Sequence, residues 1–139
     1  TLGVKGNSKI PVVSQGTKNI IEVMKKYKIN RLIVQSAHGA SESAKEMFLP
    51  VRIIMLNFLL KHPFQDKNVM EGIVKDSNLI WTIIRPTRLT DSNKEGKYRV
   101  GENLNVGLNP HISRKSVAEF ILSLIYSKTY QNKTVTITI

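Results

Sequence analysis

The stretch SNLIWTIIRPTRLTD, residues 77–91, constrains the fold more than any other part of the chain. Within it Ile80, Trp81, Thr82, Ile83 and Ile84 form a near-continuous run of β-branched and aromatic residues. A half-wet strand would alternate apolar with polar side chains. An unbroken apolar run suits a parallel strand covered by helices on both faces. Pro86 has no N–H to give to a ladder, so pairing is expected to stop there and a polar loop to follow. Ligands of open α/β sheets bind beyond the carboxyl ends of strands, which makes the end of this strand the place to look for function.

The rest of the chain supplies the partners such a strand needs. Thr1, Leu2 and Gly3 read as the end of an earlier strand, and an amino-terminal part upstream of them is expected. A helix is predicted over residues 14–28, with Ser14 as N-cap and Ile20, Ile21, Met24 and Tyr27 at helical spacing. Its last turn carries Lys25, Lys26 and Lys28, which complement the helix dipole, and Asn30 closes it. Residues 31–36 (RLIVQS) form a second strand, and the small polar run 37–43 (AHGASES) is its carboxyl-end loop. Residues 46–62 are expected to be partly helical, with Pro63 breaking that helix. A further helix over 65–75 would bury Val69, Met70, Ile73 and Val74. Residues 90–110 are rich in Gly, Asn, Lys and Asp and hold at most short extended pieces such as 97–100. A helix over 112–126 follows, N-capped by Ser113, with Val117, Phe120, Ile121, Leu124 and Ile125 inward, and a strand over 134–139 ends the series. This alternation is that of an α/β fold, the carboxyl-terminal part of a doubly wound parallel sheet, in a single domain spanning 1–139.

Several function classes fall away on composition. The longest apolar stretch, 51–60, is interrupted by Arg52 and Asn57 and is too short to span a bilayer. No charged-then-apolar leader is present, so the cytoplasm is the expected compartment. The absence of cysteine excludes disulfides, thiolate nucleophiles and cysteine metal sites, and no metal site is expected. The net charge of +11 raises the question of nucleic acid, but the basic residues are scattered. A solvated surface with attraction for phosphate-bearing small ligands is the reading preferred over a nucleic-acid site.

The runs KNVMEGIVKDSNLIWTIIRPTRLTD, GKYRVG, ISRKSVAEFIL and NKTVTI together resemble the atypical short-chain dehydrogenase/reductase family. The resemblance is to its NAD(P)-binding, NmrA-like and biliverdin/flavin-reductase-like members. Members carry a K-x-x-x-E helix, then S-x-L-x-W-T-I-x-R-P, then an I-S-R helix and a final T-V strand. Nearly all 139 residues lie on the second half of that pattern. The resemblance implies a Rossmann-type fold, an NAD or NADP cofactor and a small-molecule acceptor. The G-x-x-G-x-x-G turn that would cradle the pyrophosphate is not in this sequence. A chain without that part would expose a sheet edge open to self-association.

The family pattern implies roles residue by residue. Gly3 matches the position passing the cofactor ribose, and Ser36 the strand-end hydroxyl that faces nicotinamide and substrate. His38, next in the loop, is a candidate proton donor near neutral pH. Lys67 matches the lysine that holds the ribose hydroxyls, and Glu71 stands four residues on, at ion-pair spacing. The tyrosine that classical members place one turn before that lysine is here Pro63, so hydride delivery would rest on binding geometry and the proton on solvent. Pro86, Thr87 and Arg88 would form the nicotinamide-side wall, Pro86 near the ring and the other two at its amide. Ser116 replaces the usual aspartate of the I-S-R helix. The implied function is an NAD(P)H-dependent reductase of a flavin, quinone, biliverdin or similar planar acceptor, with NADP slightly preferred on charge. The alternative is an NmrA-like dinucleotide sensor without turnover.

Overall fold

The computed structural model describes residues 8–46, 49–50, 60–92 and 97–139. Most of the expected helix over 46–62, and the strand end at Thr1–Gly3, lie outside the described residues. Two compact units emerge: Thr1–Arg31 with Gly39–Leu79, and Leu32–His38 with Ile80–Ile139.

Among the described residues, the first unit holds a helix pair. Helix α1 spans Val12–Lys26 and packs against α2, Lys61–Lys75, with a short 3-10 turn at Ser41–Glu46 between them in the chain. Helix α1 starts two residues before the predicted Ser14 and has no side-chain cap of its own. Its first amides are satisfied from α2 instead. The buried Asp66 carboxylate accepts from Val13 N at 2.8 Å through Oδ2 and from Ser14 N at 3.0 Å through Oδ1. One carboxylate thereby covers two orphan donors and sits at the positive end of the helix dipole. At the other end, Lys28 takes φ 57°, its N–H donates to Lys25 O at 3.2 Å, and Ile29 N donates to Met24 O at 2.8 Å. This is a Schellman closure with lysine where glycine is usual.

Helix α2 begins at Lys61, earlier than the predicted residue 65, because Pro63 lies in its first turn, where an absent N–H breaks no intrahelical bond. Its buried face also differs from the apolar stripe expected. Met70 and Val74 are fully buried as predicted, but Val69 is 56% exposed, while Asp66 and Glu71 are buried. In α1, likewise, Ile21 and Met24 are buried, whereas Ile20 and Tyr27 are exposed.

The second unit is built on a sheet of four strands among the described residues, in the order β1-β2-β6-β4: Arg31–Gln35, Ile80–Pro86, Lys133–Thr138 and Arg99–Gly101. Strands β2 and β6 are parallel, with Ile84 opposite Val135, and β4 runs antiparallel to β6. Along β1 and β2, Ser36 N donates to Ile84 O at 2.7 Å and His38 N to Pro86 O at 2.9 Å. Each step of two residues on one strand is matched by two on the other, which is parallel pairing. A second, two-stranded parallel sheet pairs β3, Arg88–Thr90, with β5, His111–Ser113. Helix α3, Arg114–Leu124, follows β5 directly.

From Thr82 to Thr87 every residue is buried, without the alternation of a half-wet strand. On one face of the sheet Ile84, Val135 and Ile137 pack with Ile112 and with Val117, Phe120 and Leu124 of α3. Phe120 meets Tyr98 and Tyr130 edge-on at ring-centroid distances of 6.0 and 6.1 Å. Ser113 is the N-cap expected: its Oγ accepts from Ser116 N at 3.0 Å and shares a 2.9 Å hydrogen bond with Ser116 Oγ. The helix is shorter than predicted, and Ile125 is exposed beyond its end.

Pro86 does not end the strand. It pairs with Ile137, and its carbonyl accepts from His38. In a parallel ladder a residue's N–H and C=O face the same neighbour. Thr87 N donates to Ile137 O at 3.1 Å, so Thr87 faces β6 and Pro86 faces β1. The missing donor therefore falls where β1 is already ending, and only the last rung on that side is lost.

Candidate functional site

The parallel strands β1, β2 and β6 carry their carboxyl ends to one edge of the sheet, and the chemistry of that edge divides sharply by strand. At the end of β2, Thr87 Oγ1 donates to Thr138 Oγ1 at 3.1 Å and lies 3.5 Å from Ile137 O. Thr138 Oγ1 in turn lies 3.4 Å from His111 O, which also accepts from Ile139 N at 3.0 Å. These groups join the end of β6 to the start of β5 and leave the Thr87 hydroxyl committed inside the protein.

The end of β1 is different. Ser36 is 2% exposed, its N–H is tied to Ile84, and its Oγ has no hydrogen-bond partner among the described residues. The N–H that regular pairing would aim at the Ser36 carbonyl is the one Pro86 lacks. A buried hydroxyl without a partner costs about 1–3 kcal/mol, which singles Ser36 out from the satisfied hydroxyls at the end of β2. His38, two residues on, is buried rather than exposed, with its backbone pinned to Pro86. The structure thus brings Ser36, His38, Pro86 and Thr87 to one place.

The remaining sequence-predicted residues stand elsewhere. Gly3 lies outside the described residues. Arg88 is exposed on β3, in register with His111, and Nη2 reaches Asn109 Oδ1 at 3.4 Å. Lys67 is half-buried on α2, in the other unit. Burial pushes its ammonium below the ordinary lysine range, while the negative charges of Glu71 and Asp66 pull the other way.

Sequence reasoning missed three polar features. Asp66 is a cap for a helix 52 residues away, Thr138 completes the hydroxyl chain, and Ser41 is bonded to α2 through Asn68 and Glu71. The only signal in the sequence was negative: acidic residues at core spacing on an otherwise apolar helix face. No cluster of three or more potential metal ligands occurs among the described residues, and no described helix is long and apolar enough to cross a membrane.

A family model for NAD(P)H-binding proteins matches residues 1–128. The reductase pytE of Aspergillus terreus is 31% identical over 126 residues, covering 77% of this chain and 47% of that protein. Two solved structures share the fold. ChuY, an anaerobilin reductase from Escherichia coli O157:H7, superposes with a TM-score of 0.77 at 18% identity, covering 99% of this chain and 60% of that one. A short-chain dehydrogenase/reductase from Veillonella parvula, solved with NADP, gives a TM-score of 0.76 at 17% identity over 89% of this chain and 57% of that one. This chain spans about half the length of the curated relative.

Proposed function

This chain belongs to the NAD(P)H-binding family, and we propose that it supplies the nicotinamide-side part of an NAD(P)H-dependent reductase acting on a planar acceptor such as a flavin, a quinone or a bilin. The observation that carries the reading is the buried, unpartnered Ser36 hydroxyl at the carboxyl end of β1. A hydroxyl in that state fits a ligand carrying both hydrogen-bond donors and acceptors, which the carboxamide of a nicotinamide does. When bound, the dinucleotide supplies the hydride.

The roles of the protein are to bind, orient and exclude water. Pro86 and Thr87 form a rigid wall, because the Thr87 amide and hydroxyl are fixed by β6 and Pro86 has a single φ. Ser36 offers one donor and two acceptor positions toward the reacting rings. By the family pattern, Lys67 would supply a cation for the ribose hydroxyls. With Pro63 in place of the tyrosine one turn before Lys67, no side-chain acid is built in at that position. Proximity and orientation supply the acceleration, and the proton comes from solvent or from His38. Either dinucleotide fits this reading, and the net charge of +11 favours NADP through its additional phosphate.

The test is oxidation of NADPH and NADH by the protein with a flavin, a quinone and a bilin as acceptors. Acceptor-dependent oxidation is expected. Tight dinucleotide binding with no oxidation by any acceptor would replace the reductase with a dinucleotide sensor.

A further inference from the structure

The loop after β1 holds a left-handed residue that is not glycine, and a buried carboxylate holds that residue. Gly39 takes φ 99°, a region open to glycine, and its N–H donates to Ser43 Oγ at 2.9 Å. Two residues on, Ser41 takes φ 49°. For a residue with a Cβ this conformation costs about 1–2 kcal/mol, so something must hold it there.

Two bonds from α2 do so. Ser41 N donates to Asn68 Oδ1 at 2.6 Å, and Ser41 Oγ donates to Glu71 Oε2 at 3.0 Å. Asn68 and Glu71 are three residues apart, so they lie on one face of α2 and grip a single residue from both its backbone and its side chain. Glu71 is 1% exposed. A carboxylate at that depth is costly, and an apolar residue would suit a packing role better. Nothing in the mechanism above uses it.

We propose that Glu71 is a positioning residue: with Asn68 it latches Ser41, and so fixes the path of the chain immediately after Ser36 and His38, which orders the loop for the acceptor. The inference rests on the reductase reading for the identity of the ligand but not for the latch itself. Glu71 also helps keep Lys67 charged against burial, so one carboxylate serves the lysine on its own helix and the loop beyond β1.

The experiment compares wild type, Ser41→Ala, Glu71→Met and Glu71→Gln in two measurements on the full chain. The first is amide hydrogen exchange of residues 39–43. The second is steady-state reduction of a flavin at saturating NADPH, with KM and kcat separated for acceptor and cofactor. Losing one charge-assisted hydrogen bond predicts acceptor KM up about tenfold in Ser41→Ala and Glu71→Met, with NADPH KM unchanged in Ser41→Ala. Exchange protection at 39–43 should fall in the same variants. Glu71→Gln keeps an acceptor oxygen for Ser41 and should retain the wild-type loop. If Glu71→Met does not fold, Ser41→Ala, which leaves the core intact, decides alone. Unchanged exchange in Ser41→Ala overturns the latch, and lost protection with unchanged acceptor KM overturns its positioning role. If wild type oxidises NADPH with no flavin, quinone or bilin, the reductase reading fails, and exchange in Ser41→Ala decides for or against the latch.

Discussion

The ends of β1 and β2 leave the same edge of one parallel sheet and are built on opposite terms. At β2, the donors and acceptors of Thr87 are spent on β6, and the strand passes through proline with only one rung lost. At β1, a serine hydroxyl is buried with nothing to meet it among the described residues. One exit is tied into the scaffold, and the other is where we propose that the ligand is met. Neither burial nor residue type separates them, since Ser36 and Thr87 are both buried hydroxyls. Hydrogen-bond accounting does.

The comparison breaks most visibly at Ser36. Ser36→Ala is expected to lower hydride transfer by about two orders of magnitude, as loss of a catalytic hydrogen-bonding group typically does, while thermal stability holds or rises because an unsatisfied buried hydroxyl is removed. Steady-state kinetics beside a melting curve would read both. A variant that loses stability in step with activity would make Ser36 scaffold after all. Thr87→Val should behave in the opposite sense. It removes a satisfied hydroxyl, so stability should drop by about 1 kcal/mol in denaturant unfolding, with a smaller change in rate than at Ser36.

Lys67 sharpens the picture through pH. Burial lowers its proton affinity, with Glu71 and Asp66 opposing, so its charge is lost as pH rises through a value below the ordinary lysine range. A lysine that binds the dinucleotide only when charged should give affinity that weakens as pH rises, starting at lower pH than an ordinary lysine would. Lys67→Arg, whose charge persists, should flatten the curve by a fewfold in Kd, and titration of dinucleotide binding against pH would show it. The smallest effect lies away from both exits. Lys28→Gly relieves a left-handed lysine at the end of α1 and should raise stability by about 0.5–1 kcal/mol, a shift of a few degrees in Tm, without touching activity.

Much of the scaffold was legible because it rests on local rules. The run Ile80–Ile84 announced a parallel strand, which is buried from Thr82 on although Ile80 is exposed, and Ser113 ahead of an amphipathic run announced a helix start. The candidate site was legible in part. Ser36 was identified through the family pattern, and its orphaned hydroxyl became visible only once its neighbours were in place. Features that depend on distant partners were not readable. Ser14 looked like the cap of α1, yet Asp66 performs that task from another helix. The short β3–β5 pair, at the two ends of the stretch 90–110, was not expected, because its three-residue strands depend on one another and not on their own propensity; the extended piece expected at 97–100 corresponds to β4.

The amino-acid sequence by itself determined the alternation of helices and strands, the parallel character of the central strand and the family to which the chain belongs, because periodicity and residue type act over a few positions. Only the tertiary structure decided which polar groups are satisfied. Asp66, Thr87 and Glu71 found partners 30 to 53 residues away, according to where the backbone carried them; Glu71 meets Ser41 across 30 residues and Thr87 meets Thr138 across 51. Hydrogen bonding is directional and effective only within about 3 Å, so its outcome depends on folded geometry that no local pattern encodes.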